Sequence, residues 1–257
     1  MKTYTHFIWL LGLVFCACKT PYSVVSNEAK RYKVEAGLTD TLTEVAQLLK
    51  PYRDGLNTEM NTVIGTAETD FIKVRPGGSL GNLVVDALFE KALELDAKAC
   101  NAICNYGGIR IPELPKGPIT TGKIFELLPF DNELVLLSVT GDVLQKWVAL
   151  MDSAGGWPIR KPIQFQKSMD NQLYYNDTLL VEKTNGNLNL EIRRVPIHSD
   201  SLYVIATNDY IANGGDQCTF LKSSKCMHTG LLLRDVMIAY IKKHFKITTI
   251  GHYTIHE

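Results

Sequence analysis

The chain has 257 residues, 46 % of them hydrophobic, with 27 basic and 27 acidic side chains. That length suits one large domain or two small ones, and the apolar content excludes an intrinsically disordered chain. The zero formal charge excludes the basic footprint of a general nucleic-acid-polymer binder, and no apolar run reaches the ~20 residues that span a bilayer.

Residues 1–18 read as a signal segment to be set aside from the fold. Lys2 supplies the positive end, and Phe7 to Phe15 form an apolar run too short to span. Cys16-Ala17-Cys18 follows at once and resembles the lipobox of bacterial lipoproteins. Cys18 is the lipidation candidate, because small Ala17 precedes it whereas bulky Phe15 precedes Cys16. The expected location is therefore exported and membrane-anchored, facing the periplasm or cell surface, with acyl chains as the membrane contact. The alternative is an ordinary cleaved secretion signal.

Residues 19–38 are polar and aperiodic and read as a tether. The folded domain is expected over residues 39–257. Thr41-Leu42-Thr43-Glu44 has capping-box form and predicts a helix, with a kink or break at Pro51. A strand is expected near 62–66, a helix over 80–95, a strand over 99–105, and a turn at Tyr106-Gly107-Gly108. A short helix through Leu128, a doubly buried strand over 133–139 and a helix over 141–151 follow. Shorter β pieces are expected at 163–165, 172–175, 188–192 and 202–206, with turns at Asp170-Asn171 and Asn185-Gly186-Asn187. The last element is a helix over 231–244. Helices alternate with strands before strands cluster, which predicts a single α+β (mixed α/β) domain with a mixed sheet and flanking helices.

Four cysteines lie beyond the signal segment. Cys100 and Cys104, in one strand, would stand ~13 Å apart, too far for a bridge. Cys218 and Cys226 bracket a polar stretch, where a disulfide and two separate thiols both fit. No Cys/His spacing resembles a zinc site.

Three stretches carry more than generic texture. They are Arg75 with Ser79-Leu80-Gly81-Asn82-Leu83; Asn105-Tyr106-Gly107-Gly108-Ile109-Arg110 with Leu128-Pro129-Phe130-Asp131-Asn132; and Ala206-Thr207-Asn208-Asp209-Tyr210 through Asn213-Gly214-Gly215-Asp216. In order and spacing they resemble the C-terminal, substrate-binding domain of the 5'-nucleotidase family of nucleotide and UDP-sugar hydrolases. The resemblance covers roughly residues 40–245.

It implies that Phe130 and Tyr210 stack on the two faces of a nucleobase, whose π-faces suit a two-ring clamp. It places Arg75 and Arg110 on the ribose and phosphate side, where a guanidinium donates in a planar fork. Asn105 and Asn132 would hydrogen-bond ribose or base, and Asp216 would accept from ribose hydroxyls. Gly107, Gly108, Gly214 and Gly215 would admit backbone close to the ligand or take positive φ. Tyr210 stands where Phe is frequent, so Tyr210→Phe is expected to change little. Asp131 stands where Gly is common, and Gly78 where a carboxylate is common.

The family's chemistry lies in a metallophosphoesterase domain with D-x-H and G-N-H-E/D motifs that hold two metal ions. Neither motif occurs in these 257 residues. The resemblance thus implies a nucleotide- or nucleoside-binding chain without cofactor or catalytic residue of its own. Phosphoester hydrolysis would need divalent metals in a metallophosphoesterase partner acting in trans. The alternative is a non-catalytic nucleotide-binding surface lipoprotein.

Overall fold

The computed structural model describes residues 43–75, 78–160, 163–165, 173–184 and 187–248. The signal segment with Cys18, the tether, and the turns expected at Asp170-Asn171 and Asn185-Gly186 lie outside these residues. Two compact units divide between Lys50 and Pro51. In the first, Thr43 to Lys50 are helical; the same helix, α1 (Thr43–Met60), continues beyond Pro51. No loop interrupts it at the proline.

The second unit holds all the remaining elements. In chain order these are β1 (Val63–Ala67), β2 (Phe71–Ile72), α2 (Ser79–Leu95), β3 (Ala99–Ala102), β4 (Glu113–Leu114), β5 (Gly117–Thr120), α3 (Thr121–Leu127), β6 (Glu133–Thr140) and α4 (Gly141–Ser153). Then come β7 (Ile163–Phe165), β8 (Leu173–Thr184), β9 (Asn187–Pro196), β10 (Leu202–Asn208), α5 (Asp209–Ala212), β11 (Lys225–Leu232), α6 (Leu233–His244) and β12 (Lys246–Ile247). The α+β class with mixed sheets is as expected. Thr120 and Thr140 cap α3 and α4, each hydroxyl accepting a backbone N–H three residues on.

The central sheet has the order β11-β6-β10-β3, with β10 parallel to β3 and the other pairs antiparallel. Alternation along β6 explains how it is covered on both faces. Leu134 and Leu136 enter one core with Leu83, Val84 and Leu88 of α2 and Met237 and Ile241 of α6. Val135, Leu137 and Val139 enter a second core with Leu144 and Trp147 of α4 and Ile211 of α5. Side sheets β12-β1-β5, β2-β4 and β7-β8-β9 complete the unit.

Three expectations need correction. The third strand stops at Ala102; Ile103 makes only an isolated bridge to Ile159, and the chain then turns. The stretch from Lys225, read as the end of a polar loop and the start of a helix, is strand β11. Its side chains are exposed or half-buried throughout, so no period-2 apolar signal marks it. The short β pieces at 172–175 and 188–192 are parts of the long pair β8 and β9. None of Cys100, Cys104, Cys218 and Cys226 is in a disulfide, so Cys218 and Cys226 form no bridge.

Asp86 on α2 pairs with Arg160, yet burial outweighs that partner and raises its carboxyl from 3.8 to about 6. A carboxyl raised on folding contributes its stability below the unfolded value and loses it as pH climbs through about 6. Asp86→Asn is therefore expected to remove a fall in stability of up to about 3 kcal/mol between pH ~4 and ~6. Urea unfolding across that range checks this; an unchanged pH slope in the variant contradicts it.

Candidate functional site

The register of the central sheet builds the site. Asn208, the last residue of β10, lies opposite Leu134 near the start of β6, so the 130–132 loop meets the exit of β10. Parallel β3 ends beside it, and Asn105 follows two residues after Ile103. At this end of the sheet lies a cavity of about 330 Å³ lined by Asn105, Gly107, Gly108, Arg110, Phe130, Asn132, Tyr210 and Asp216. That volume lies within the range of small-molecule pockets. Six of the seven substrate-binding candidates are thus brought together.

Phe130 and Tyr210 are large rings held out in solvent, 46 % and 45 % exposed. Single exposed apolar side chains are common on protein surfaces, but these two line one cavity and leave ring surface open to it. Asn208 caps α5 by accepting the Ile211 N–H at 2.8 Å, which fixes the backbone that carries Tyr210. Asp209 Oδ1 accepts from Glu133 N (3.0 Å) and Tyr210 N (2.9 Å), tying the start of β6 to α5. Arg110 lies over Phe130, 5.5 Å from the ring centroid, and donates to the Gly107 carbonyl at 3.2 Å.

The polar floor is one hydrogen-bonded chain. Asn208 Nδ2 donates to Asn105 Oδ1 at 3.0 Å, and Asn105 Nδ2 donates to Asp216 Oδ2 at 2.8 Å. The Tyr210 hydroxyl donates to Asp216 Oδ1 at 2.9 Å and accepts the Asp216 N–H at 3.3 Å. Asn105 is buried. Gly108 leaves it room: a Cβ there would stand 2.9 Å from Asn105 Oδ1. Gly215 lies against the Tyr210 ring, where a Cβ would come within 2.4 Å of ring carbon. Of the four glycines read as ligand-facing, Gly214 takes positive φ.

Two thiols lie under this floor. Burial first, and the Asp216 charge second, push Cys104 and Cys218 up to about 12, so both stay protonated and unreactive near neutrality.

Arg75 does not line the cavity. Its guanidinium donates to the carbonyls of Ala154 and Gly156 and lies 4.0 Å from the Tyr106 centroid. Lys73 lies 4.1 Å from the same centroid and donates to the Ile109 carbonyl at 2.6 Å. Burial, then Arg110 and Arg75, lower its pKa from the usual lysine value. Neither Lys73 nor Arg234 is marked by a motif. Arg234 of α6 pairs with Asp131 and donates to the Phe130 carbonyl at 3.4 Å, bracing the loop that bears Phe130. The Leu233 N–H is donated to the Asn132 carbonyl at 2.9 Å on the same loop. Asp131 and Arg234 carry opposite charges 103 positions apart, and their pairing is seen only in the fold.

An α+β domain with a cavity at the strand ends of a mixed sheet, lined by two exposed rings, is thus defined by its geometry. The chain belongs to the family described as 5'-nucleotidase, C-terminal domain, whose model matches residues 63–223. It is 27 % identical over 218 residues to the trifunctional nucleotide phosphoesterase protein YfkN of Bacillus subtilis, covering 80 % of this chain and 14 % of that protein. It is 30 % identical over 183 residues to a 5'-nucleotidase of Diplobatis ommata, covering 64 % of this chain and 30 % of that one. Among solved structures, a 5'-nucleotidase precursor from Thermus thermophilus superposes with a TM-score of 0.62 at 27 % identity, over 80 % of this chain and 41 % of that one. The chain spans less than half the length of these relatives. No helix among the described residues is long and apolar enough to cross a membrane.

Proposed function

We propose that this chain is the nucleotide- or nucleoside-binding part of a split 5'-nucleotidase, presenting substrate to a metallophosphoesterase chain in trans. The observation that supports this reading is the convergence of Asn105, Arg110, Phe130, Asn132, Tyr210 and Asp216 on one cavity. Phe130 and Tyr210 take the base between them, and Asp216 accepts from ribose hydroxyls. Arg110 at the rim draws the phosphate toward the mouth, where a partner's metal ions would meet it. Arg75, beside Lys73, adds positive charge next to Arg110 and holds the 154–156 loop.

The full chain alone is expected to leave AMP, ADP and UDP-sugar intact with any divalent metal. Metal-dependent turnover that disappears in Arg110→Ala or Asp216→Ala contradicts this reading. A second reading, a nucleotide-binding surface lipoprotein without a catalytic partner, predicts the same inertness. The two part when a metallophosphoesterase chain is added: only the split enzyme gains turnover.

The proposed location is a membrane face outside the cytoplasm, held through acylated Cys18. Cys18→Ser is expected to move the protein from the membrane fraction to the soluble one. Release by Cys16→Ser instead would transfer the anchor to Cys16.

A further inference from the structure

Asp216 is an exposed carboxylate on an unusual backbone. It and Gln217 both take left-handed φ, 47° and 68°, a conformation non-glycine residues adopt rarely and at a cost. What closes this turn is the Tyr210 hydroxyl. It donates to Asp216 Oδ1 and accepts the Asp216 N–H, so one oxygen holds both ends of the residue. Asn105, itself held by Asn208, occupies the other carboxylate oxygen. Gly215 lets the Tyr210 ring approach the turn, since any Cβ would strike it. One donor on each oxygen leaves the carboxylate further lone pairs, and Asp216 lines the cavity.

We propose that Tyr210 acts twice in this site: its ring stacks on the base, and its hydroxyl is a positioning group that aims Asp216 and sets the preference for ribosyl ligands over free bases. This rests on the reading of the cavity as a nucleoside site. It goes beyond the ring's role, because a phenylalanine would stack equally well and leave Asp216 Oδ1 without this partner. The simple expectation that Tyr210→Phe is neutral is therefore replaced.

Titration calorimetry of the full chain with adenosine and with adenine tests it. Tyr210→Phe is expected to weaken adenosine binding roughly tenfold, as loss of a hydrogen bond to a charged group does, and to leave adenine within about twofold. Asp216→Asn is expected to lower the adenosine-to-adenine preference in the same direction. In the Asp216→Asn background, Tyr210→Phe is expected to add no further loss, because the group it aims has been altered. An unchanged preference in Tyr210→Phe, an equal loss for both ligands, or full additivity in the double variant overturns the positioning role while the nucleoside site stands. Wild-type chain that binds neither ligand at millimolar concentration removes the nucleoside reading itself, and this proposal with it. Tyr210→Ala that weakens adenine while Tyr210→Phe does not separates the ring's contribution from the hydroxyl's.

Discussion

Phe130→Ala and Tyr210→Ala are each expected to weaken adenosine and AMP binding roughly 5- to 150-fold. Removing one aromatic platform from a stacked base costs about 1–3 kcal/mol, and about 1.4 kcal/mol is tenfold. Both rings are nearly half exposed and line the same cavity, so their loss removes ligand contact with little cost to the core. The stability of Phe130→Ala should therefore stay close to wild type. The double variant should bind no more tightly than the weaker single one. Calorimetric titration with AMP checks the affinities; losses below twofold for both rings would place the base elsewhere.

The second large effect is on stability. Trp147 is fully buried in the core beneath the site, packed in one cluster with Ile103, Val135, Ile205 and Ile211. Trp147→Ala is expected to cost about 3–5 kcal/mol, from lost transfer free energy and the cavity left behind. Its indole N–H finds no acceptor among the described residues, so no hydrogen bond adds to that figure. The damage should reach the site as well, because Ile103 stands two residues before Asn105 and Ile211 follows Tyr210. Urea unfolding measures it, and a change under about 1 kcal/mol would contradict the packing described.

Much of the site was legible before the fold. The Asn105–Arg110, Leu128–Asn132 and Ala206–Asp216 stretches carry their chemistry in short motifs, and local motifs survive translation into structure. Strand β6 was legible for a different reason: both its faces are buried, so it reads as a continuous apolar run. Strand β11 was not, because neither of its faces is fully buried, and pairing to β6 leaves no trace in side-chain type. Arg75 illustrates a third limit. An arginine at a motif position can be read as ligand-facing, but the carbonyls of Ala154 and Gly156 that take its donors lie some eighty residues away. The Tyr210–Asp216 closure is local in sequence, yet it depends on left-handed backbone at Asp216 and Gln217, which residue type does not announce. Arg234 reaches the Phe130 loop only because α6 follows β11 back past the start of β6.

The cavity between Phe130 and Tyr210 is proposed to hold a nucleoside. A crystal structure of the full chain grown with adenosine tests it most directly. The adenine ring is expected between the Phe130 and Tyr210 side chains, with a ribose hydroxyl donating to Asp216 while the Tyr210 hydroxyl remains on the same carboxylate. Adenosine bound at another surface, or a base held away from both rings with the Phe130–Tyr210 cavity empty, would contradict it.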